Sequence, residues 1–294
     1  MNRVSLTGAR NSFRPDRLSS FTRNKFHAPL AASLLSVLCT FSSAQSSSEE
    51  KLINSGEDLT APVDRFDLRM QFQSLPDSSY NGLDFDDLST ETITLRTDLL
   101  LFAKPNQLAL RFDLPLEWSN KPNDQNPTGD TEFGMGDFLA QAIYVREIDK
   151  RWAVGAGLRT ILPTATGEAF GDGKWQLVPT VGVRASVPEI SQGSYLGLIV
   201  RQFSSVGGQS SRSDISYFQF EPQFNWTLPE RWFLNFSPEI KFNLMTRDWF
   251  VPLDIMVGRR FGLNWIASLE YQYGLVTEDD SYNQWLEARI GYFF

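Results

Sequence analysis

Arginine and carboxylate side chains recur two positions apart in several stretches of this 294-residue chain. Arg96 precedes Asp98, Arg111 precedes Asp113 and Glu117, Glu239 precedes Lys241, and Glu287 precedes Arg289. In an extended chain such residues share one face. A face carrying both signs does one of two things. It forms ion pairs with its neighbours, or it lines an aqueous path whose local field discriminates among solutes. Arg159, Arg184, Glu221, Asp254 and Glu270 stand in the same phase elsewhere, with large apolar residues on the alternate positions.

Catalytic chemistry finds little support beside this. Paired carboxylates suffice for glycoside hydrolysis, but no spacing singles out a pair. The only histidine, His27, and the only cysteine, Cys39, lie in an N-terminal stretch expected to be removed. The mature chain then lacks the near-neutral proton shuttle of serine hydrolases and Asp–His proteases. It also lacks a Cys/His metal cluster. Gly173-Lys174-Trp175 is no phosphate loop, because Trp175 stands where a magnesium-binding Ser or Thr is needed. We therefore expect no enzyme, no catalytic residue, no cofactor and no resident metal. Asp84, Asp86 and Asp87, and likewise Glu278, Asp279 and Asp280, form acidic clusters. They read as solvated loop rims, with oxygen enough to share divalent ions with lipopolysaccharide.

The elements that position the charged face are strands. Leu108, Leu110, Phe112, Leu114, Leu116 and Trp118 alternate with Ala109, Arg111, Asp113, Pro115 and Glu117. Trp232 to Phe242 and Leu263 to Tyr273 repeat the pattern, as does the stretch around Ile93 and Leu95. Six large apolar residues on one face exceed what a sandwich strand needs, whereas a tilted bilayer crossing takes about 9–11 residues. Twelve such segments begin near residues 65, 91, 107, 135, 151, 174, 193, 214, 231, 249, 263 and 283; the fourth and seventh are the least regular. The prediction is an all-β fold, an antiparallel transmembrane β-barrel of about 12 strands over residues 65–294.

Loop lengths follow parity. Connections after even-numbered segments are brief, such as Lys104-Pro105-Asn106 and Asp149-Lys150. Those after the first, third, fifth and seventh are longer, at residues 76–90, 119–134, 163–173 and 204–213; the loop near 245–248 is a short exception. A barrel with both termini in the periplasm has this asymmetry. Seven tryptophans (118, 152, 175, 226, 232, 249 and 265) fall near strand ends, where headgroup-level girdles form. Residues 285–294 alternate in the same way, and the chain ends on Phe294. That ending resembles the closing strand through which outer-membrane barrels engage their assembly machinery.

At the N-terminus, six basic residues precede an apolar run over 29–41, then Ser42-Ser43-Ala44. This predicts a signal peptide over 1–44, cleaved near Ala44, and a flexible periplasmic leader over 45–64. Cleavage takes the formal charge from −8 to near −13, which argues against nucleic acid as a partner.

Residues 134–179 carry a more specific order: Gly134-Met135-Gly136-Asp137, then Leu162-Pro163-Thr164-Ala165-Thr166, then Gly171-Asp172-Gly173-Lys174-Trp175 with Val178-Pro179. This resembles the outer-membrane family described as "MetA-pathway of phenol degradation", a transporter-like group. The resemblance implies passage or binding of small, often aromatic, solutes and transfers no catalytic residue. Without it, the same residues describe a tight external hairpin, with Pro163 ending a strand and glycines permitting the turn.

The charged face must then line the lumen, since a charge on the lipid face costs up to about 2–4 kcal/mol at the midplane. The predicted pore-lining residues are those named in the first paragraph. Two states remain open. The charges pair and close the interior, leaving a structural or adhesion barrel that acts through its external loops. Alternatively, they line a narrow channel, as the resemblance implies; twelve strands also enclose more than the eight whose interior side chains just fill. Expected partners are outer-membrane lipid, lipopolysaccharide, the assembly machinery and small solutes.

Overall fold

A computed structural model describes residues 55–102, 104–278 and 281–294. The expected signal peptide, leader residues 45–54, Asp279 and Asp280 lie outside the described residues. Sixteen strands form: β1 (Arg65–Ser74), β2 (Ser78–Tyr80), β3 (Leu83–Phe85), β4 (Ser89–Leu100), β5 (Asn106–Ser119), β6 (Glu132–Met135), β7 (Phe138–Glu147), β8 (Trp152–Leu162), β9 (Lys174–Ser186), β10 (Tyr195–Gly208), β11 (Ser216–Thr227), β12 (Trp232–Phe236), β13 (Ile240–Asn243), β14 (Trp249–Phe261), β15 (Trp265–Thr277) and β16 (Gln284–Phe293).

All but β2 and β3, which pair with each other in a separate hairpin, make a closed antiparallel barrel of twelve staves. β12 and β13 together form one stave, and β6 extends the sheet beside the upper part of β5. Closure comes from β1, which pairs with β4 on one side and β16 on the other. The barrel sheet therefore closes on itself, as a hydrocarbon environment demands. Every expected segment is found, each starting within three residues of its predicted position.

The lapse between β12 and β13 has a local cause. Phe224 pairs with Phe236 and Phe220 with Ile240, so the register is the same on both sides of residues 237–239. That register sets Pro238 opposite Pro222, and neither has an N–H to give the ladder.

The start of β1 and the end of β16 meet at one rim, where Arg65 pairs with Phe293. We call this rim proximal. Its connections are short, at residues 101–105, 148–151, 187–194, 228–231 and 262–264. The distal connections include the β2–β3 hairpin and the residue 163–173 loop. Trp152, Trp226, Trp232 and Trp265 ring the proximal end; Trp118, Trp175 and Trp249 ring the distal end. All but half-buried Trp118 are exposed.

The barrel is polar inside and apolar outside. Arg65, Asp67, Gln107, Gln141, Gln176, Asn225, Asn235, Glu287 and Arg289 are buried, while Val181, Leu198, Leu253, Ile255, Leu269 and Tyr271 are exposed. A water-soluble β-sandwich has the reverse arrangement. Hydrocarbon is the solvent that makes this one stable.

Candidate functional site: the lumen wall

Of the predicted residues, Asp98, Asp113, Glu221, Asp254, Glu270, Glu287 and Arg289 are buried, and cross-strand register decides which meet. Arg96 on β4 stands opposite Asp113 on β5, and Asp98 opposite Arg111. Both pairs are two-pronged. Arg96 donates from Nε and Nη2 to Asp113 at 2.8 and 2.7 Å, and Arg111 donates to Asp98 at 2.7 and 2.9 Å. Planar guanidinium suits this fork geometry. Asp98 also accepts from Arg65 Nε at 2.7 Å, so one carboxylate ties three staves together.

Glu287 on β16 accepts from Arg69 at 2.9 Å and from Gln71 at 2.7 Å. Glu221 on β11 pairs with Arg201 on β10 and accepts from Gln223 at 2.7 Å. Asp254 accepts the backbone N–H of Ser237 at 3.2 Å, and Glu270 accepts from Gln272 at 2.8 Å. Glu239 lies in the lapse between β12 and β13. Arg159 donates to Gln141 at 3.0 Å. These contacts lie within one stave or join neighbouring staves, not opposite sides of the lumen.

Lys241 sits in a nest of rings, 5.9 Å from the centroid of Tyr217, 5.2 Å from Phe250 and 6.0 Å from Tyr282. It also donates to Ser281 Oγ at 3.2 Å. Phe203 stacks on Tyr217 at 4.3 Å, and Trp285 packs with Phe250 and Tyr282. The distal half of the lumen thus carries aromatic faces as well as charges.

Sequence reasoning missed several wall residues. Arg65, Asp67 and Arg69 alternate with Phe66, Leu68 and Met70 on β1, a signal as clear as that on β5. Arg201 was hidden because β10 is apolar on both faces, with Ile199 and Phe203 inward.

Residues 55–64, expected as the end of a flexible leader, have well-defined partners inside the barrel. From the proximal rim, where Asp64 accepts the Leu100 N–H at 2.6 Å, the chain turns into the lumen. Val63 packs on Phe233, Met256, Ile266 and Phe293. Leu59 packs on Ile143, Val145 and Ile199. Burying one leucine of this size contributes about 1.5–3 kcal/mol. Asp58 accepts from Arg184 at 2.9 Å. Glu57 accepts from Arg69 at 2.9 Å and from Arg289, with Arg65 Nη1 at 3.8 Å. Arg289 also reaches the Ser55 carbonyl at 2.6 Å.

The distal motif residues fold against one another. Asp137 accepts the amides of Ala165 at 3.0 Å and Asp172 at 2.9 Å. Thr166 Oγ1 accepts the Met135 N–H at 2.9 Å, and Thr164 Oγ1 that of Phe138 at 2.8 Å. Burial pushes the Asp137 carboxyl above its ordinary value, against the lowering effect of those amides. Glu117 lies beneath, close enough to Gly136 that a β-carbon there would strike its carboxylate. The Gly-x-Gly-Asp and Pro-Thr segments are thus two halves of one loop clasp. Arg212 braces it by donating to the Glu168 carbonyl at 2.8 Å.

Among the described residues, no group of three or more Asp, Glu, His or Cys side chains is arranged to hold a metal ion.

No family model matches the chain, and no curated protein does. The resemblance of residues 134–179 to the phenol-degradation family thus has no counterpart in these comparisons. Solved structures do match. The KdgM porin is similar at a TM-score of 0.50 and 12% identity, over 78% of this chain and 99% of that one. The NanC porin gives 0.49 and 12% identity, over 78% and 98%. Outer membrane phospholipase A from Escherichia coli gives 0.45 and 12% identity, over 78% and 89%. At such identities the likeness concerns the fold, an outer-membrane-type β-barrel.

Proposed function

We propose that this chain is a porin-like barrel of a bacterial outer membrane, with both termini periplasmic, that passes or binds small solutes. One observation carries the proposal: the charged and amide side chains of all twelve staves line a common interior, while the exposed outer face is mainly aliphatic and carries six girdle tryptophans. A wall of fixed charges and amides selects what enters by local field and hydrogen bonding. The fold shared with the KdgM porin is consistent with this role. The rings around Lys241 and the motifs of residues 134–179 favour small solutes with an aromatic or apolar part. Sequence supports the same reading, since no histidine occurs after His27 to serve as a near-neutral proton shuttle.

A second possibility, a closed structural barrel acting through its distal loops, draws on residues 55–64, which fill part of the proximal lumen. Planar-bilayer recording decides between them. Ion-selective single-channel current is expected. Well-folded protein that stays silent, even without residues 55–63, would establish the closed barrel.

A further inference from the structure

Three features of the molecule lie outside the ion-pair lattice of the wall. The first is the distal clasp, with a cavity of about 200 Å³ beside Asp137 and Arg212. Its polar groups are spent on backbone, which leaves no ligand signature. The second is the aromatic nest around Lys241, already part of the proposed solute path. The third is the seat of Glu57, and it goes furthest.

Arg65, Arg69 and Arg289 project from β1 and β16 toward one point of the lumen. The wall supplies Asp67 at 3.3 Å from Arg65 and 3.2 Å from Arg69, and Glu287 at 2.9 Å from Arg69. The remaining acidic partner of Arg65, Asp98, is shared with Arg111. The wall thus falls one negative charge short, and the carboxylate that completes it is Glu57, from outside the wall. Gly56 lets the chain come so close. It has φ +79°, and a β-carbon there would lie 2.1 Å from Arg65 Nη1.

The segment carrying Glu57 has left a trace in the staves. β7 and β10, the two least regular in the sequence, present Ile143, Val145 and Ile199 to the lumen, and these are the residues that hold Leu59. Their inward faces are built for an apolar side chain from elsewhere. No strand pairing holds residues 55–63, so they can leave without opening the barrel.

We propose that the Arg65–Arg69–Arg289 cluster is a carboxylate-binding site, that Glu57 fills it in this state, and that a small carboxylate solute competes for it and displaces residues 55–63. The proposal rests on the porin-like function above. No bond is made or broken: one carboxylate replaces another on the same guanidinium donors. Glu57 and Leu59 hold the segment at two points, so removal of either lowers the solute concentration needed for release.

The test uses the full mature chain with Cys39→Ser where the precursor is retained, and Val63→Cys as reporter. The rate of modification by a membrane-impermeant maleimide is measured in potassium acetate and in potassium chloride, at matched ionic strength and pH. Acetate should accelerate labelling in a saturable way. Glu57→Gln should accelerate it about tenfold in chloride alone, the scale of losing a charge-assisted hydrogen bond. Equal rates in the two salts, or a Glu57→Gln protein that labels as slowly as its parent, would overturn the site. The chain lacking residues 55–63 keeps the two failures apart. If it conducts and acetate has no effect on labelling, the site is wrong and the channel stands. If it is folded and silent, the channel is wrong, and the site loses the passage it is meant to control.

Discussion

Two arcs of the same lumen wall treat charge differently. On β16, β1, β4 and β5, arginines and carboxylates alternate and are paired across neighbouring staves: Arg96 with Asp113, Arg111 and Arg65 with Asp98, Arg69 with Glu287. On β11 to β15, the inward carboxylates Glu221, Glu239, Asp254 and Glu270 outnumber their bases, and Asp254 and Glu270 are met by neutral donors. The first arc spends its charges on holding the wall and seating Glu57. The second holds carboxylates, Asp254 and Glu270 among them, that no arginine meets among the described residues. Position in the lumen therefore does not define a pore residue by itself; the partner across the ladder decides whether a charge braces the barrel or sets its field.

The largest effect should come from the paired arc. Asp98→Ala leaves Arg65 and Arg111 without their shared carboxylate. Breaking a buried pair in this way costs about 3–5 kcal/mol. Denaturant unfolding in lipid vesicles, followed by tryptophan fluorescence, measures it; a loss under 1 kcal/mol would mean water or other acids compensate. Next comes the outer face. Leu269, 44% exposed on β15, lies between inward Ser268 and Glu270. Leu269→Arg should destabilise the barrel by about 2–4 kcal/mol, while Glu270→Gln beside it should leave folding intact.

The carboxylate-rich arc should respond in selectivity and not in stability. Asp254→Asn combined with Glu270→Gln should lower the cation preference of the current, read as a shift in reversal potential across a salt gradient. Arg111→Glu should instead weaken folding through loss of its fork to Asp98. Equal shifts from both variants would erase the distinction between the arcs.

The smallest effect lies outside both arcs. In the proximal turn after β7, Asp149 accepts the N–H groups of Trp152 and Arg151, each at 2.7 Å, which hold its carboxyl below the ordinary value. Its folded pKa is depressed, so its contribution is present above the unfolded value near 3.9 and is lost as pH falls through the folded value. Asp149→Ala should reduce stability slightly at pH 7 and make no difference in strong acid. An unchanged pH profile would discount the turn.

Much of this was legible in sequence because a barrel wall obeys one simple rule. On β5, β15 and β16 each residue has a single environment, and alternation reveals it: Leu269 and Tyr271 outward, Glu270 and Gln272 inward. Legibility failed where a third element intrudes. Ile143, Val145 and Ile199 blur the pattern on β7 and β10 because they face Leu59. Residues 55–64 have no period of their own, so their acid-rich composition reads as solvated chain. Their contacts, Glu57 to Arg289 and Asp58 to Arg184, span more than a hundred residues and depend on closure of the barrel. Composition and spacing do not encode such contacts.

The most direct test follows β15 through the membrane. Single cysteines at each position from 265 to 276, in a Cys39→Ser background, would carry an environment-sensitive fluorophore in vesicles containing brominated lipid. Strong quenching at 267, 269, 271 and 273, with weak quenching at 268, 270 and 272, is the predicted result. Uniform quenching along the strand, or quenching in the opposite phase, would contradict a wall with hydrocarbon on one side and a polar lumen on the other.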